Sequence, residues 1–344
     1  MNSFDSLDEL WLDAAQQIED NGHETGSRDG ESKEVLGYVG RLAVPQANWL
    51  FNPVRKAKLY YGAAEFLWYM SGESHIGLVK EYAPQYTRFV EGPADDGINA
   101  HGAYGARLAG SKAMQATVEK LRRHNLFPAK IKDPISQIRM IAWLLKEKPD
   151  TRQAISIMWN DADLPHALSG SVGDLPCTIG LQFILRNGHL NCIATMRSND
   201  IWLGLPYDVF CFTMMQQFLA HLLQVEVGWY QHQVGSLHVY KRNYEKFKDA
   251  MDPGMFSTEY LQFSHPHVPP VDAIKGALTL EQNFRESGTL QMPTLEKIGA
   301  LSIMGQMALW TMIRWCETHR YEPKNLLKHI HNQEIHKLAR KQCR

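Results

Sequence analysis

Near the start of the chain, Phe4, Leu7, Leu10, Trp11, Ala14 and Ile18 recur at helical spacing and predict an opening helix over residues 4–20. Residues 21–34 (NGHETGSRDGESKE) are polar and predict an exposed mobile loop, with Arg28 between two glycines. Residues 35–51 read as strand interrupted at Pro45. In residues 56–70, Leu59, Ala63, Phe66, Leu67 and Met70 form one apolar face. That pattern buries Glu65 one turn from Tyr61 and Tyr69. Residues 92–111 are loop-rich, 114–126 and 134–148 predict two helices, and 154–159 and 179–185 predict strands. Asn187-Gly188, between strand patterns 179–186 and 189–196, is the strongest hairpin signal in the chain. The nearly unbroken apolar run 205–224 predicts a central buried helix, and 228–240 returns to a strand pattern. Beyond residue 250, prolines precede a helix-like stretch, 293–317, and a basic tail from Lys324. Helices and strands mix without a regular β-α-β cadence, which favours an α+β fold over a doubly wound one.

Composition narrows the partners. The chain has 344 residues, 44% apolar and 21% charged, enough for a sizeable core. Lys plus Arg (36) balances Asp plus Glu (37), so no global field points to nucleic acid or an anionic membrane. Thr213, Gln216, Gln217 and His221 interrupt the longest apolar stretch, so no membrane span is expected. The acidic, amphipathic start is unlike a secretory signal. Five scattered cysteines without a C-x-x-C pair fit neither a disulfide scaffold nor a zinc ribbon. His329, His331 and His336 lack a metal-site spacing and a completing acid or thiol, so no metal is expected. These features suit a cytoplasmic enzyme with reduced thiols.

Three segments carry candidate chemistry. Cys192 and Cys211 lie in apolar runs and read as core, whereas Cys177 follows Leu175-Pro176 and opens a strand where a ligand can approach. Arg197-Ser198 offers a planar fork and a hydroxyl to a phosphate. Gly204 and Pro206 break the chain before the buried helix. Asp208 enters that helix's first turn, where a plain helix-start carboxylate is an equal alternative. His238 and Tyr240 share a strand face about 7 Å apart, fit for a sugar hydroxyl or for satisfied polar groups at a strand edge.

The set Leu175-Pro176-Cys177, then Arg197-Ser198-x-Asp200-x-x-Leu203-Gly204-x-Pro206, then Gly235-x-x-His238-x-Tyr240 resembles the thymidylate synthase family. The intervals from Cys177 to Arg197, Asp208 and His238, of 20, 31 and 61 residues, match that resemblance. It extends through Glu65-Phe66-Leu67-Trp68, Gly102-Ala103-Tyr104-Gly105 and Asp150-Thr151-Arg152, and covers residues 5–250. The resemblance implies a thymidylate synthase-like α+β fold, a mixed sheet flanked by helices, as a catalytic domain over 1–250. Residues 251–344 do not resemble the family's short C-terminal segment and are expected to form a helical extension packed on that domain.

The activity implied is C5 one-carbon transfer onto a pyrimidine nucleoside monophosphate with 5,10-methylenetetrahydrofolate as co-substrate. Cys177 would add to ring C6, Glu65 would organise water for proton transfer, and Tyr104 would stand near the C5 proton. Arg197, Ser198 and Arg28 would hold the 5′-phosphate, with Arg152 reaching in from the second subunit of a homodimer. His238 and Tyr240 would bind the 3′-hydroxyl, and Asp200, Leu203, Gly204, Tyr207 and Tyr86 would line the folate and base side. A nucleotide- or RNA-binding relative without catalysis is the competing class, and the joint presence of Cys177, Glu65 and Tyr104 argues against it.

Four departures from the family pattern refine the expectation. Asp208 stands where the family has asparagine. A carboxylate accepts from cytosine N4–H but faces uracil O4 acceptor to acceptor, so cytosine is the expected base, as in the family's deoxycytidylate hydroxymethylases. No tryptophan lies between Trp68 and Trp143, and Tyr86-Thr87-Arg88-Phe89 matches the stretch where methylating members have one. Loss of that indole opens the C5 methylene to water and favours hydroxymethyl over methyl. Thr178 replaces a histidine, which predicts a rebuilt water network around Glu65 and Asp208. Arg152-Gln153 replaces an arginine pair. Deoxyribose leads over ribose by family habit alone, so dCMP leads CMP. Phage-type DNA modification and nucleoside-antibiotic synthesis both stay open.

Overall fold

The computed structural model describes residues 2–27, 30–131, 135–252, 261–264, 268–319, 324–330 and 332–342. Its seven strands form one mixed sheet: β1 (Asn2–Phe4), β2 (His23–Ser27), β3 (Gly30–Leu42), β4 (Ile155–Ile157), β5 (Thr178–Arg186), β6 (His189–Asp200) and β7 (Glu226–Tyr240). The order is β1-β3-β7-β6-β5-β4, with β2 paired to β3. The β3–β7, β5–β6 and β4–β5 pairs are antiparallel, whereas β6–β7 and β1–β3 are parallel. The parallel β6–β7 pair requires a crossover, and helix Leu205–Leu223 supplies it. That helix is buried along most of its length, as its apolar run predicts.

Alternation on β7 buries Gly228, Tyr230, His232 and Val234 against the helical layer and leaves the intervening residues half-buried on the opposite face. Asn187 (φ 51°) and Gly188 (φ 77°) both take the left-handed conformation that a tight β5–β6 hairpin demands. The opening helix, Leu7–Asn21, is capped by Ser6, whose hydroxyl accepts from the Glu9 amide at 3.3 Å. Helix Leu59–Ser71 is buried on nearly all sides and ends at Gly72, φ 79°.

Two expectations are corrected. Residues 21–34 are not simply an exposed loop, because His23–Ser27 pairs antiparallel with Gly30–Glu34. Backbone pairing holds a hairpin whose side chains are mostly solvated, so no apolar alternation marks it. The stretch 293–317 is not one helix. Helices Met292–Ile298 and Ile303–His319 are separated at Gly299 (φ 83°), and the Ser302 hydroxyl accepts from the Gly305 amide at 3.1 Å to start the second.

Helices Pro270–Ser287 and Ile303–His319 pack on Leu59–Ser71 and share its core. Gln342, at the end of helix Gln333–Gln342, donates to Ala57 O at 3.0 Å and accepts from the Leu59 amide at 3.3 Å. It thereby satisfies one of the first-turn amides of the Glu65 helix. Lys58 pairs with Glu317 at 3.3 Å. Among the described residues, no helix is long and apolar enough to cross a membrane.

Candidate active site

At the C-terminal end of β6 and β7 a cleft of about 900 Å³ opens between the sheet and helix Leu59–Ser71. It gathers residues far apart in sequence: Glu65, Tyr86, Tyr104, Cys177, Arg197, Ser198, Asp200, Leu203, Gly204, Tyr207, Asp208, His238 and Tyr240 all line it. Arg28 lies outside the described residues; Thr25 and Gly26 of β2 line the cleft. Arg152 does not line it. It precedes β4 at the far edge of the sheet, exposed, with its carbonyl accepting from Gln182 Nε2 at 3.0 Å.

Cys177 sits half-buried just before β5. Arg197, on neighbouring β6, donates through Nε to Pro176 O at 2.9 Å and through Nη2 to Leu175 O at 3.2 Å. Its Nη2 also stands 3.7 Å from Cys177 Sγ, and its guanidinium lies 5.3 Å from the Trp159 ring centre. A fixed cation beside the sulfur favours the thiolate, the nucleophilic form. The Tyr104 hydroxyl accepts from the Thr178 amide at 3.0 Å and from Thr178 Oγ1 at 2.9 Å, leaving its own proton to donate into the cleft. Thr178 therefore spends its hydroxyl on Tyr104 rather than on the carboxylates.

Two acids occupy the cleft's floor. Burial, then the charge of Asp208, pushes the Glu65 carboxyl up to about 8, against hydrogen bonds from Tyr61 and Tyr69. The Tyr61 hydroxyl donates to Glu65 Oε1 at 3.0 Å. Burial pushes Asp208 up to about 7, with the charge of Asp200 adding and a 2.8 Å bond from Asn199 Nδ2 opposing. Burial thus holds both acids above the usual carboxylate range, toward the neutral values that suit acid–base chemistry.

The same shift affects stability. Because Glu65 is raised above its unfolded value near 4.5, its contribution is fully present below pH 4.5 and lost as pH rises through about 8. Glu65→Gln removes the burial of charge. In urea unfolding the variant should gain on the order of 3 kcal/mol over the parent at about pH 9 and nothing at about pH 4. An equal gap at both values would contradict the assignment.

On the other side of the cleft Asp200 Oδ1 accepts from the Trp202 amide at 2.7 Å and the Leu203 amide at 3.1 Å. Its Oδ2 is buried with no hydrogen-bond partner among the described residues, an acceptor suited to a ligand's N–H donors. Aromatic rings surround that end: Tyr61 and Tyr207 are 4.7 Å apart, and Tyr86 stands edge-on to Trp68 at 5.3 Å. Phe89 packs on Tyr86 at 4.9 Å. Arg55 lies 5.4 Å from the Tyr207 ring centre, and Lys58 also lines the cleft. Flat rings, an orphaned carboxylate oxygen and cations fit a pteridine carrying anionic glutamate, so the residues present accommodate a folate.

Sequence reading missed Arg55, Lys58, Trp159, Asn199 and Arg242, all of which line the cleft. One signal was available for two of them. Arg55 and Lys58 precede a helix start, where the dipole disfavours cations, so their presence there calls for another reason. His238 and Tyr240 do share one face, with ring centres 5.0 Å apart. Among the described residues no group of three or more His, Cys, Asp or Glu could hold a metal ion, and His331 lies outside them.

A deoxyuridylate hydroxymethyltransferase of Bacillus phage SP01 is 30% identical over 237 residues, 69% of this chain. The chain spans 57% of that relative's length. The family model for thymidylate synthase matches residues 9–284, a span that holds every strand from β2 to β7 and every residue placed in the cleft above. The chain belongs to the thymidylate synthase family.

Proposed function

We propose that the protein hydroxymethylates C5 of a cytidine monophosphate, dCMP ahead of CMP, with 5,10-methylenetetrahydrofolate as one-carbon donor. The observation that carries the base choice is Asp208, a buried carboxylate lining the cleft where an amide would serve uracil. Bound folate supplies a carbon at the oxidation level of formaldehyde, held between the Tyr86 side and Asp200, with Leu203, Gly204 and Tyr207. The chain's own residues do the rest. Cys177 Sγ adds to C6, and the electron pair displaced onto C5 forms the new carbon–carbon bond. Water ordered by Glu65 takes the C5 proton beside the Tyr104 hydroxyl as tetrahydrofolate leaves, and a methylene remains on C5. Water adds to that methylene, and expulsion of the Cys177 thiolate restores the C5–C6 double bond. Arg197, Ser198 and Arg28 hold the phosphate, and His238 and Tyr240 hold the 3′-hydroxyl.

Water capture is supported by the tyrosine at position 86 in place of an indole, and by the relative whose name is that of a hydroxymethyltransferase. That name gives deoxyuridylate, so hydroxymethylation of dUMP is the second reading. Methylation of dCMP or dUMP, as in thymidylate synthase itself, is a third. Tritium release from C5-labelled dCMP, CMP and dUMP separates the bases. Folate-dependent release should be fastest with dCMP; none with any nucleotide would sink the enzyme reading, and fastest release with dUMP would sink the base choice.

We further propose that the working unit is a homodimer, and that residues 251–344 form an extension bracing the catalytic body of residues 1–250. The exposed sheet residues Ile155 (44%), Ile157 (47%) and Ile179 (40%), beside Arg152, support a sheet-to-sheet interface. Arg152 then reaches the partner's phosphate site. Mixing an inactive Cys177→Ala protein with an inactive Arg152→Ala protein should restore up to about a quarter of parental activity through hybrid dimers. Hybrids that form without activity would rule out the shared site.

A further inference from the structure

Asp208 ends a chain of hydrogen bonds that runs back into the sheet. Its Oδ2 accepts from Asn199 Nδ2 at 2.8 Å, Asn199 Oδ1 lies 2.9 Å from His232 Nε2, and His232 Nδ1 lies 2.8 Å from the Tyr230 hydroxyl. These side chains come from helix Leu205–Leu223, β6 and β7. Asn199 is 3% exposed, and His232 and Tyr230 are fully buried. Only Asn199 and Asp208 reach the cleft.

With Asp208 ionised, the chain of bonds has one self-consistent polarity. Asp208 as a carboxylate needs a donor, so Asn199 must turn its amide nitrogen toward it and its oxygen toward His232. An oxygen facing His232 requires hydrogen on Nε2, which leaves Nδ1 to accept from Tyr230. Burial pushes the imidazolium down to about 3 and keeps the ring neutral, with a single N–H to donate. Hydrogens thus point from Tyr230 through His232 and Asn199 to Asp208.

We infer that Tyr230, His232 and Asn199 are positioning residues that set base specificity, by holding the Asp208 carboxylate in one orientation and keeping it an acceptor. The inference deepens the cytosine reading and rests on it. An acceptor matches cytosine N4–H and opposes uracil O4. An Asp208 without its donor keeps a proton, and a neutral acid satisfies either base. The chain therefore acts chiefly by excluding uracil.

His232→Phe removes the donor to Asn199, whereas His232→Gln keeps an N–H in that direction. The readout is the ratio of kcat/KM for dCMP to that for dUMP, measured on protein with parental circular dichroism. His232→Phe should lower the ratio at least about tenfold, and His232→Gln should hold it within about threefold of the parent. Should His232→Phe not fold, Tyr230→Phe takes its place and should shift the ratio in the same direction by about threefold or more. An unchanged ratio, or a shift as large in His232→Gln as in His232→Phe, would overturn the inference. The two readings fail separately: a parent that prefers dUMP contradicts the cytosine choice, whereas the response to His232 judges the chain of bonds.

Discussion

Cys177→Ala should lose at least about a thousandfold in turnover, some 4 kcal/mol of barrier, while binding of the nucleotide stays measurable. The expectation follows from what surrounds the sulfur. Arg197 lies 3.7 Å from Sγ and is tied by its other bonds to the carbonyls of Leu175 and Pro176. The guanidinium is thereby fixed beside the thiolate, and these bonds do not depend on the sulfur. On the proposed mechanism, removing the sulfur therefore leaves the phosphate ligands in place and takes away only the nucleophile. Binding would be followed by calorimetry and turnover by tritium release. Activity within about tenfold of the parent would make covalent addition untenable.

Asp208→Asn should weaken turnover of dCMP and raise that of dUMP, a swing of roughly 2–4 kcal/mol in relative specificity. One charge-assisted bond to N4–H is lost and one acceptor–acceptor repulsion with O4 is removed. The neighbouring Asn199 amide can still donate to the new side chain's oxygen, which leaves its nitrogen free to face O4. The parent's preference should itself depend on pH. With Asp208 pushed up to about 7, discrimination against uracil strengthens as pH rises through that value and the acid ionises. The variant, having no ionisable group there, should show a flat ratio across the same range. Competition between the two nucleotides in one reaction measures both effects.

The parts of the site that were legible in the sequence are those whose signal lies within one segment. Asn187-Gly188 set the β5–β6 register through two left-handed residues. Glu65 stood out because helical periodicity surrounds it with apolar neighbours, and burial is what raises its carboxyl. Cys177, Arg197-Ser198 and His238-x-Tyr240 sit at strand ends, and the cleft collects them. The β2–β3 hairpin was invisible because its pairing is carried by backbone groups rather than by side-chain alternation. Arg55 and Lys58 were overlooked because they precede the helix and fall outside its period. The Tyr230–His232–Asn199–Asp208 chain crosses from strand to strand to helix, and no spacing along the sequence encodes such lateral neighbours. Arg152 lies outside the cleft of its own chain, exposed at the far edge of the sheet.

The most direct test is the mass of the nucleotide formed when the parent enzyme meets equal amounts of dCMP and dUMP with methylenetetrahydrofolate. A cytidine product heavier than dCMP by one CH2O unit, with dUMP largely unconsumed, is the result expected from Asp208 at the base and Tyr86 in place of an indole. A product heavier by one CH2 unit, or consumption of dUMP ahead of dCMP, would contradict it.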